Sequence, residues 1–362
     1  MIIKRAEKIN KEKRVSNCRV QALCDLLVMK GINVSPYLLY LVCMKSPYTF
    51  AEVIYNHVSY PFISSFDEDL ETQLFEEFNL SYSIFTNELS LPTLKNILND
   101  DEPFILLCDA NSVLKRRKNK NNMQIGVCSG ITVIGYNALG RVVFSELNKK
   151  KQFSDISYNL LSYSRDFEIL PSSPFNISIH LHDDYTKNQE CRRKLNDYSV
   201  LSEILRCNLT KAISEPNWEE RKYTNKNLEV FNNQKAKERL LAFLDTLQET
   251  ISNSEIDQDI LNKIFSLKFR MLRKSMISGT SSFNRLEIAE SVYALWELNP
   301  DKKLHTLYLG FQESAHNFRN IIRKLYFVND MLDKKEEFLM EIRHLLSEAF
   351  EYEYKLISNF LA

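Results

Sequence analysis

Cys18 stands where a helix is predicted to begin, in the stretch SNCRVQALCDLLVMKG (residues 16 to 31). The first backbone N–H groups of a helix carry partial positive charge, which favours the thiolate form of a cysteine at that position. Because a thiolate attacks acyl carbons, Cys18 is a candidate nucleophile. The position also suits a small buried apolar side chain, a role that free cysteine often fills. This stretch alone leaves both interpretations open.

Two histidines and an aspartate are further candidates for chemistry. His180 and His182 fall on one face of a predicted strand, as metal ligands or a general base would. Asp109 ends another predicted strand, where it either lines a cleft or bonds the local backbone. Two imidazoles without a third ligand do not complete a zinc site, and the seven cysteines contain no C-x-x-C pair. We therefore predict no bound metal and free thiols.

A run of basic residues, LKRRKNKNN (114 to 122), separates two predicted strands. A cationic loop attracts acidic partners by charge steering, although most such runs are solvated surface loops. The candidate partner-binding residues are Lys115, Arg116, Arg117 and Lys118.

Capping and turn signals predict the elements that position these residues. The first helix runs from about Cys18 to Lys30, with Gly31 at its C-terminal cap. Apolar side chains cover most of its circumference, which predicts a buried helix. The other elements predicted in this half are helices at 36 onward, 67–79 and 92–99, and strands at 80–85, 103–109, 130–136, 141–147 and 176–182.

A change in composition near residue 184 predicts two domains. Of the nine prolines only Pro216 and Pro300 follow residue 174, so long helices are able to continue there. Apolar side chains recur at helical spacing over 256–272, over 315–332 and from Phe338 to Phe360. We predict an α+β domain over residues 1–183 and an all-α domain over residues 184–362.

The composition argues against two classes of partner. Lys plus Arg and Asp plus Glu both number 47, so no net charge draws the chain to nucleic acid or to an anionic membrane. The charged start MIIKRAEKINKEKR does not resemble a secretory signal, and the apolar runs are too short to span a bilayer. We therefore expect a cytoplasmic protein.

Three stretches carry a resemblance to a known family. NCRVQALCDLLVMKGINVSPYLLYLV (17 to 42) resembles the opening of the butirosin biosynthesis protein H N-terminal family. PFILLCDANSVL (103 to 114) and GITVIGYNALGRVVFSEL (130 to 147) resemble later strands of that family, in the same order. The family is papain-like and distantly similar to bacteriocin-processing cysteine peptidases. The resemblance implies a papain-like cysteine-peptidase fold over residues 1–183, and the remainder is compatible with the helical tail domain often attached in such proteins.

The resemblance places Cys18 at the family's nucleophile position. Counting back from Gly135, the family's histidine position falls on Ser129, and its aspartate position falls on Ser145. The general base is therefore missing, and such a base contributes about a hundredfold to ten-thousandfold in rate. Cys18 is the candidate catalytic residue, and the candidate cleft-lining residues are Asn17, Asp109, Cys128, Ser129 and Ser145.

Other groups compensate in part for the missing base. Helix-start charge and the cations Lys13, Arg14 and Arg19 favour the thiolate of Cys18. The Cys18 backbone N–H, together with Asn17, is the candidate oxyanion-stabilising group. The histidines to inspect as substitute bases are His57, His180 and His182.

In the family, the cysteine takes an acyl group from a carrier-protein thioester and an amine then resolves the acyl enzyme. The resemblance implies an acyltransferase or amide-forming enzyme of specialised metabolism. It needs no permanently bound cofactor, only phosphopantetheine on a partner carrier protein and a small amine acceptor. The alternative is a catalytically degenerate relative, with Ser129 and Ser145 in place of His and Asp, that binds a carrier protein, a peptide or a partner enzyme.

Overall fold

A computed structural model describes the following residues: 1–9, 14–15, 17–44, 49–55, 58–64, 70–85, 90–109, 128–145, 153–159, 161, 178–214, 217–223, 226–252, 256–277 and 285–362. Their secondary structure combines helices with antiparallel strands, which confirms the predicted mixture of α and β structure. No helix in these ranges is both long and apolar enough to cross a membrane.

The helices and strands are numbered in chain order. The helices are α1 (Cys18–Met29), α2 (Pro36–Cys43), α3 (Leu70–Glu77), α4 (Leu91–Asn99), α5 (Tyr185–Lys194), α6 (Tyr198–Ile213), α7 (Asn233–Ser252), α8 (Gln258–Ile277), α9 (Arg285–Leu298), α10 (Lys302–Tyr326) and α11 (Lys335–Leu361). The strands are β1 (Thr49–Tyr55), β2 (Val58–Ser64), β3 (Tyr82–Phe85), β4 (Phe104–Asp109), β5 (Cys128–Tyr136), β6 (Val142–Ser145), β7 (Phe153–Ile156), β8 (Ser178–Leu181), β9 (Asn217–Tyr223) and β10 (Lys226–Asn232). Two 3-10 helices cover Lys4–Lys8 and Val328–Lys334.

The described strands form two antiparallel sheets. A six-stranded sheet has the order β3-β8-β4-β5-β6-β7, and a four-stranded sheet has the order β2-β1-β10-β9. In the six-stranded sheet β4 and β5 pair along their full overlap, from Phe104 opposite Val133 to Asp109 opposite Cys128. The hairpin between β5 and β6 turns at Asn137–Gly140, as predicted, and Gly140 has a positive φ of 69°.

Helix α1 begins at the predicted Cys18 and ends at Met29, one residue before the predicted end, and both ends are capped locally. The Asn17 side chain accepts hydrogen bonds from the backbone N–H groups of Arg19 and Val20, both at 3.0 Å. The helix ends before Gly31, whose φ of 83° favours glycine. Its side chains are buried except at Cys18 and Val28, which confirms the predicted buried helix.

The β5 strand lies directly under α1. A Cβ atom added to Gly130 would lie 3.3 Å from the Arg19 Cα and 3.4 Å from the Ala22 Cβ, so glycine allows this close approach. Thr132, two residues further along β5, donates its hydroxyl to the Ala22 carbonyl at 2.9 Å. The start of α1 is thereby fixed on the six-stranded sheet.

A separate apolar core joins this sheet to α4 and to the N-terminal 3-10 helix. The N-terminal segment crosses β5 at Gly135, where an added Cβ would lie 2.3 Å from the Met1 carbonyl oxygen. The core includes Ile3, Ala6, Leu94, Leu98, Phe104, Leu106, Cys108, Ile131, Val133 and Phe144.

The chain divides into two compact units whose boundary differs from the predicted one. Unit 1 comprises residues 1–43 and 68–201, and unit 2 comprises residues 44–67 and 202–362. The predicted division into 1–183 and 184–362 misses the β1–β2 hairpin, because β1 pairs with β10 across a long sequence separation. The second unit is also not all-α, since it contains the four-stranded sheet.

Unit 2 packs long helices against that sheet. Phe50 of β1 meets Phe243 of α7 with ring centroids 6.3 Å apart. The shared core comprises mainly α7, α8, α10 and α11, with Phe265, Phe269, Phe318, Phe338, Ile342 and Leu346 among its buried side chains.

The interior of unit 2 also holds charged groups. Arg285 and Glu353 form a fully buried bidentate ion pair, with Nε–Oε1 2.7 Å and Nη2–Oε2 3.1 Å. Lys237 is 3% exposed, and its Nζ lies 5.7 Å from the centre of the Phe350 ring. Burial, together with the nearby charge of Arg285, lowers the pKa of Lys237 to about 7.

Replacement of Lys237 by methionine is expected to stabilise the protein. At pH 7 the substitution removes a buried ammonium group and keeps the length of the side chain, which is expected to raise the free energy of unfolding by about 1–3 kcal/mol. Between about pH 7 and pH 10.5 the unfolded chain holds the Lys237 proton and the folded chain does not, so wild-type stability rises with pH in this window. Urea denaturation at several pH values measures both effects.

The matched control is Lys235→Met, two residues away on α7 at a partly exposed position beside Glu238. This variant should keep the wild-type rise with pH. An equal rise in Lys237→Met would show that Lys237 is not its source.

Candidate functional site

Cys18 is the first residue of α1 and is half-buried. It directly precedes Arg19, whose Cα makes the close approach to Gly130 on β5. The Cys18 sulfur is therefore attached to the first residue of a helix whose N-terminal end packs against the six-stranded sheet. Of the other described cysteines, Cys24, Cys43, Cys108 and Cys191 are buried, whereas Cys207 is exposed.

Asn17 has a buried side-chain amide in which the oxygen is hydrogen-bonded and the nitrogen is not. Its Oδ1 accepts from the Arg19 and Val20 N–H groups, and its carbonyl accepts from the Gln21 N–H at 3.0 Å. Its Nδ2 is buried and has no hydrogen-bond partner. An unsatisfied buried donor costs about 1–3 kcal/mol. The Asn17 Nδ2 is therefore an unused buried donor in the residue that precedes α1.

The cations predicted to favour a thiolate are paired with carboxylates. Arg19 donates its Nε to Glu71 of α3 at 2.9 Å, in a buried pair. Arg14 donates its Nη2 to Asp25 at 2.9 Å, also in a buried pair. Each carboxylate offsets the charge of its arginine, so these two residues contribute less positive potential than the sequence suggests. Lys13 lies outside the described residues.

A buried polar network joins α1 to β6. Asp25 accepts from Arg14 and Ser145 through Oδ2 and from Gln21 through Oδ1, the last at 2.9 Å. Arg14 also donates to the Ser145 hydroxyl at 2.9 Å, and Gln21 accepts from the Val15 N–H at 2.9 Å. Burial raises the pKa of Asp25, and the Arg14 guanidinium acts against that rise.

This network corrects the role predicted for Ser145. The sequence predicts that Ser145 lines a cleft, but the side chain is buried and its hydroxyl is bonded to Arg14 and Asp25. The carboxylate in this network is Asp25 on α1. Its signal in the sequence is the pair Gln21 and Asp25, spaced four residues apart in an otherwise apolar helix. The sequence pattern alone assigned no role to this pair or to Glu71.

The three remaining cleft-lining candidates lie at one end of the β4–β5 pair. Asp109 is the last residue of β4 and pairs with Cys128, the first residue of β5. Ser129 pairs with Cys108 and directly precedes Gly130. The backbone thus brings the position predicted for the base next to the strand residue on which α1 rests.

The histidines on β8 and just after it have other partners. His180 stacks on Phe104 with ring centroids 4.9 Å apart, and its Nε2 lies 3.2 Å from the Ser178 hydroxyl. Burial lowers the pKa of His180 to about 4, so the imidazole is neutral at pH 7. The His182 Nε2 lies 2.6 Å from the Ser83 hydroxyl on β3. In the sheet order, β4 separates β8 from β5.

Several candidates fall outside the described residues: His57 and the basic residues Lys115, Arg116, Arg117 and Lys118. Within the part of the chain that the structure describes, no three His, Cys, Asp or Glu side chains are grouped as metal ligands.

No family model matches this chain, and no curated protein matches it.

The Arg14–Asp25 pair should show strong energetic coupling. Arg14→Met and Asp25→Asn are each expected to cost about 3–5 kcal/mol of unfolding free energy, because each leaves a buried charge uncompensated. The double variant should cost clearly less than the sum of the two. A double-mutant cycle by urea denaturation measures the difference.

The exposed pair Arg343 and Asp245 serves as the matched control, with an expected coupling of at most about 1 kcal/mol. If the two cycles gave the same coupling, the buried network would not be what fixes α1 to β6.

Proposed function

We propose that the chain is a cysteine-dependent acyltransferase whose N-terminal domain is papain-like, in which Cys18 accepts an acyl group from a carrier-protein thioester and passes it to an amine. The observation that carries this proposal is the start of α1. There the half-buried thiol of Cys18 directly follows Asn17 in the chain, and the buried Nδ2 of Asn17 has no hydrogen-bond partner. The order of α1 and the β5–β6 hairpin is compatible with this class of fold.

Acylation needs few protein groups. The Cys18 sulfur attacks the thioester carbonyl, a new C–S bond forms, and the donor C–S bond breaks. The departing sulfur takes up the proton that Cys18 releases, so this half of the reaction is proton-neutral. A thioester is also more electrophilic than an amide, which reduces the need for a general acid at the leaving group.

The first residues of α1 are suited to stabilise the negative charge that forms on the carbonyl oxygen. We assign this role to the Cys18 backbone N–H and the Asn17 amide, with the positive end of the α1 dipole adding to them. Asn17 Nδ2 has no partner in the resting protein, so a hydrogen bond formed only in the transition state would lower the barrier.

Transfer to the acceptor completes the cycle. An amine attacks the acyl carbon, a C–N bond forms, and the C–S bond to Cys18 breaks. The proton lost by the amine returns to the Cys18 sulfur, either directly or through solvent or substrate. The described imidazoles His180 and His182 have other partners, so this step is slower than in an enzyme with a complete triad.

A second candidate is a degenerate relative that binds a carrier protein, a peptide or a partner enzyme and does not react. The observation that favours it is the burial of Ser145 among Arg14 and Asp25, because that position then supplies no carboxylate to orient a base. The pairing of Arg19 with Glu71 favours it further, since it weakens the positive potential near the thiol.

Acylation of Cys18 separates the two candidates. Incubation with a short acyl thioester of N-acetylcysteamine is expected to add one acyl mass to the wild-type chain by intact-mass spectrometry. The adduct should be absent in Cys18→Ala and present in Cys207→Ala, which removes an exposed cysteine as the matched control. An adduct that persists in Cys18→Ala would contradict the proposal. No adduct together with binding to a phosphopantetheinylated carrier protein would support the second candidate.

Asn17→Ser tests the assigned oxyanion donor. Serine is as good an N-cap as asparagine, so unfolding should remain close to wild type, whereas the amide N–H is lost. The acylation rate of Cys18 is expected to fall about a hundredfold. Stopped incubations analysed by mass measure the rate, and thermal unfolding monitors the fold. A wild-type rate in a folded Asn17→Ser variant would show that Asn17 acts only as a helix cap.

A further inference from the structure

A polar recess in unit 1 lies beside α1 and has two adjoining parts. The inner part, about 280 Å³, is lined by α1 residues Gln21, Asp25 and Val28 and by the loop before α2. The outer part, about 480 Å³, is lined by Arg192 and Arg193 at the end of α5. Asn33 and Asn196 line both parts, so the two parts adjoin at these two residues.

The outer part is cationic. Arg192 forms no ion pair with any residue in the described ranges, and Arg193 lies 3.9 Å from Asp197, at the limit of an ion pair. A guanidinium group matches a carboxylate or a phosphoryl group through two parallel hydrogen bonds. The guanidinium groups of Arg192 and Arg193, on one turn of α5, are therefore suited to bind an oxyanion.

The carboxylates near these arginines have other partners. Glu190 pairs with Lys194 at 2.8 Å, one helical turn along α5. Asp197 caps α6, with its Oδ1 accepting from the Ser199 N–H at 2.9 Å. Arg192 is therefore the guanidinium available to a ligand, whereas the charge of Arg193 is partly offset by Asp197 and Glu190.

Side-chain amides hold the wall of the recess in place. The Asn196 Nδ2 donates to the carbonyl oxygens of Asn33 at 3.1 Å and of Arg192 at 2.8 Å. Asn188 is buried and donates to the Lys30 carbonyl oxygen at 3.4 Å. The end of α5 is thereby tied to the loop that follows α1. A wall fixed before binding reduces the entropy lost on binding.

The inner part carries little net charge. Asp25 is paired with Arg14, so its carboxylate is already compensated. Asn33 supplies an amide group, whereas the Gln21 amide is already bonded to Asp25 and to the Val15 N–H. Val34 and Pro36 supply apolar surface. This part is suited to an uncharged body with a few hydrogen-bonding groups.

We propose that this recess binds a small organic anion, with a phosphoryl or carboxylate group at Arg192 and Arg193 and an uncharged body in the inner part. This site goes beyond the acyl transfer proposed for Cys18. Binding requires no reaction at the thiol, and Cys18→Ala should bind the anion as wild type does.

Calorimetric titration of the full chain with glycerol 3-phosphate and with glutarate tests the site and distinguishes the two anion types. Binding of either probe, weakened about tenfold or more in Arg192→Gln, is the expected result. Lys194→Gln removes one positive charge from the same turn of α5 without lining the recess, and it should change the affinity by less than about threefold.

Two results would overturn the proposal. One is binding of neither probe at millimolar concentration by the folded wild-type chain. The other is equal weakening in Arg192→Gln and Lys194→Gln, which would indicate attraction by the general charge of α5 in place of a defined site. Arg193→Gln gives an independent second measurement if Arg192→Gln fails to fold.

Discussion

The close contact between α1 and β5 is the constraint on which the rest of unit 1 depends. A glycine at position 130 lets the helix backbone approach the strand, and the Thr132 hydroxyl binds the Ala22 carbonyl oxygen. Further along the helix, Asp25 is bonded to Arg14 and to Ser145 of β6. Van der Waals packing sets the distance between the layers, while the polar network determines the position of the helix along the sheet.

This arrangement affects the chemistry available to Cys18. Arg14 and Arg19 lie close to it in sequence, but each is used to neutralise a buried carboxylate. A buried pair contributes little net stability, because desolvation offsets its Coulombic energy, yet it strongly disfavours structures in which one partner is displaced. The same arginines therefore help to fix the fold and leave less positive potential for a thiolate. The position of Cys18 at the start of α1 still favours its thiolate through the helix dipole.

The sequence predicted elements whose signals are local and missed those that depend on distant pairing. Helix α1 has a cap at Asn17 and a stop at Gly31 within one short stretch, and it forms where predicted. The β1–β2 hairpin was missed because its partner is β10, with Ala51 opposite Val230. Strand β9, NWEERKY, has four consecutive charged residues, a composition unusual in strands. The same distinction applies to the candidate site. The positions of Asn17 and Cys18 at the start of α1 were predictable from local capping signals. The contacts among residues 14, 25 and 145 were not predictable, because these residues meet only in the folded chain.

Under the proposed function, serine at the positions where the resemblance expects His and Asp would have unequal effects on the two halves of acyl transfer. Exchange of an acyl group between two sulfurs releases and consumes one proton within the same step, so it needs little help from a base. Attack by an amine leaves a cationic nitrogen that must lose a proton before the product is stable, and a positioned base accelerates that loss. In a chain that keeps Cys18 but has serine at the positions expected for His and Asp, the second half is slowed more than the first. Under that proposal the acylated cysteine is expected to accumulate, which is why its detection separates a slow transferase from a protein that only binds.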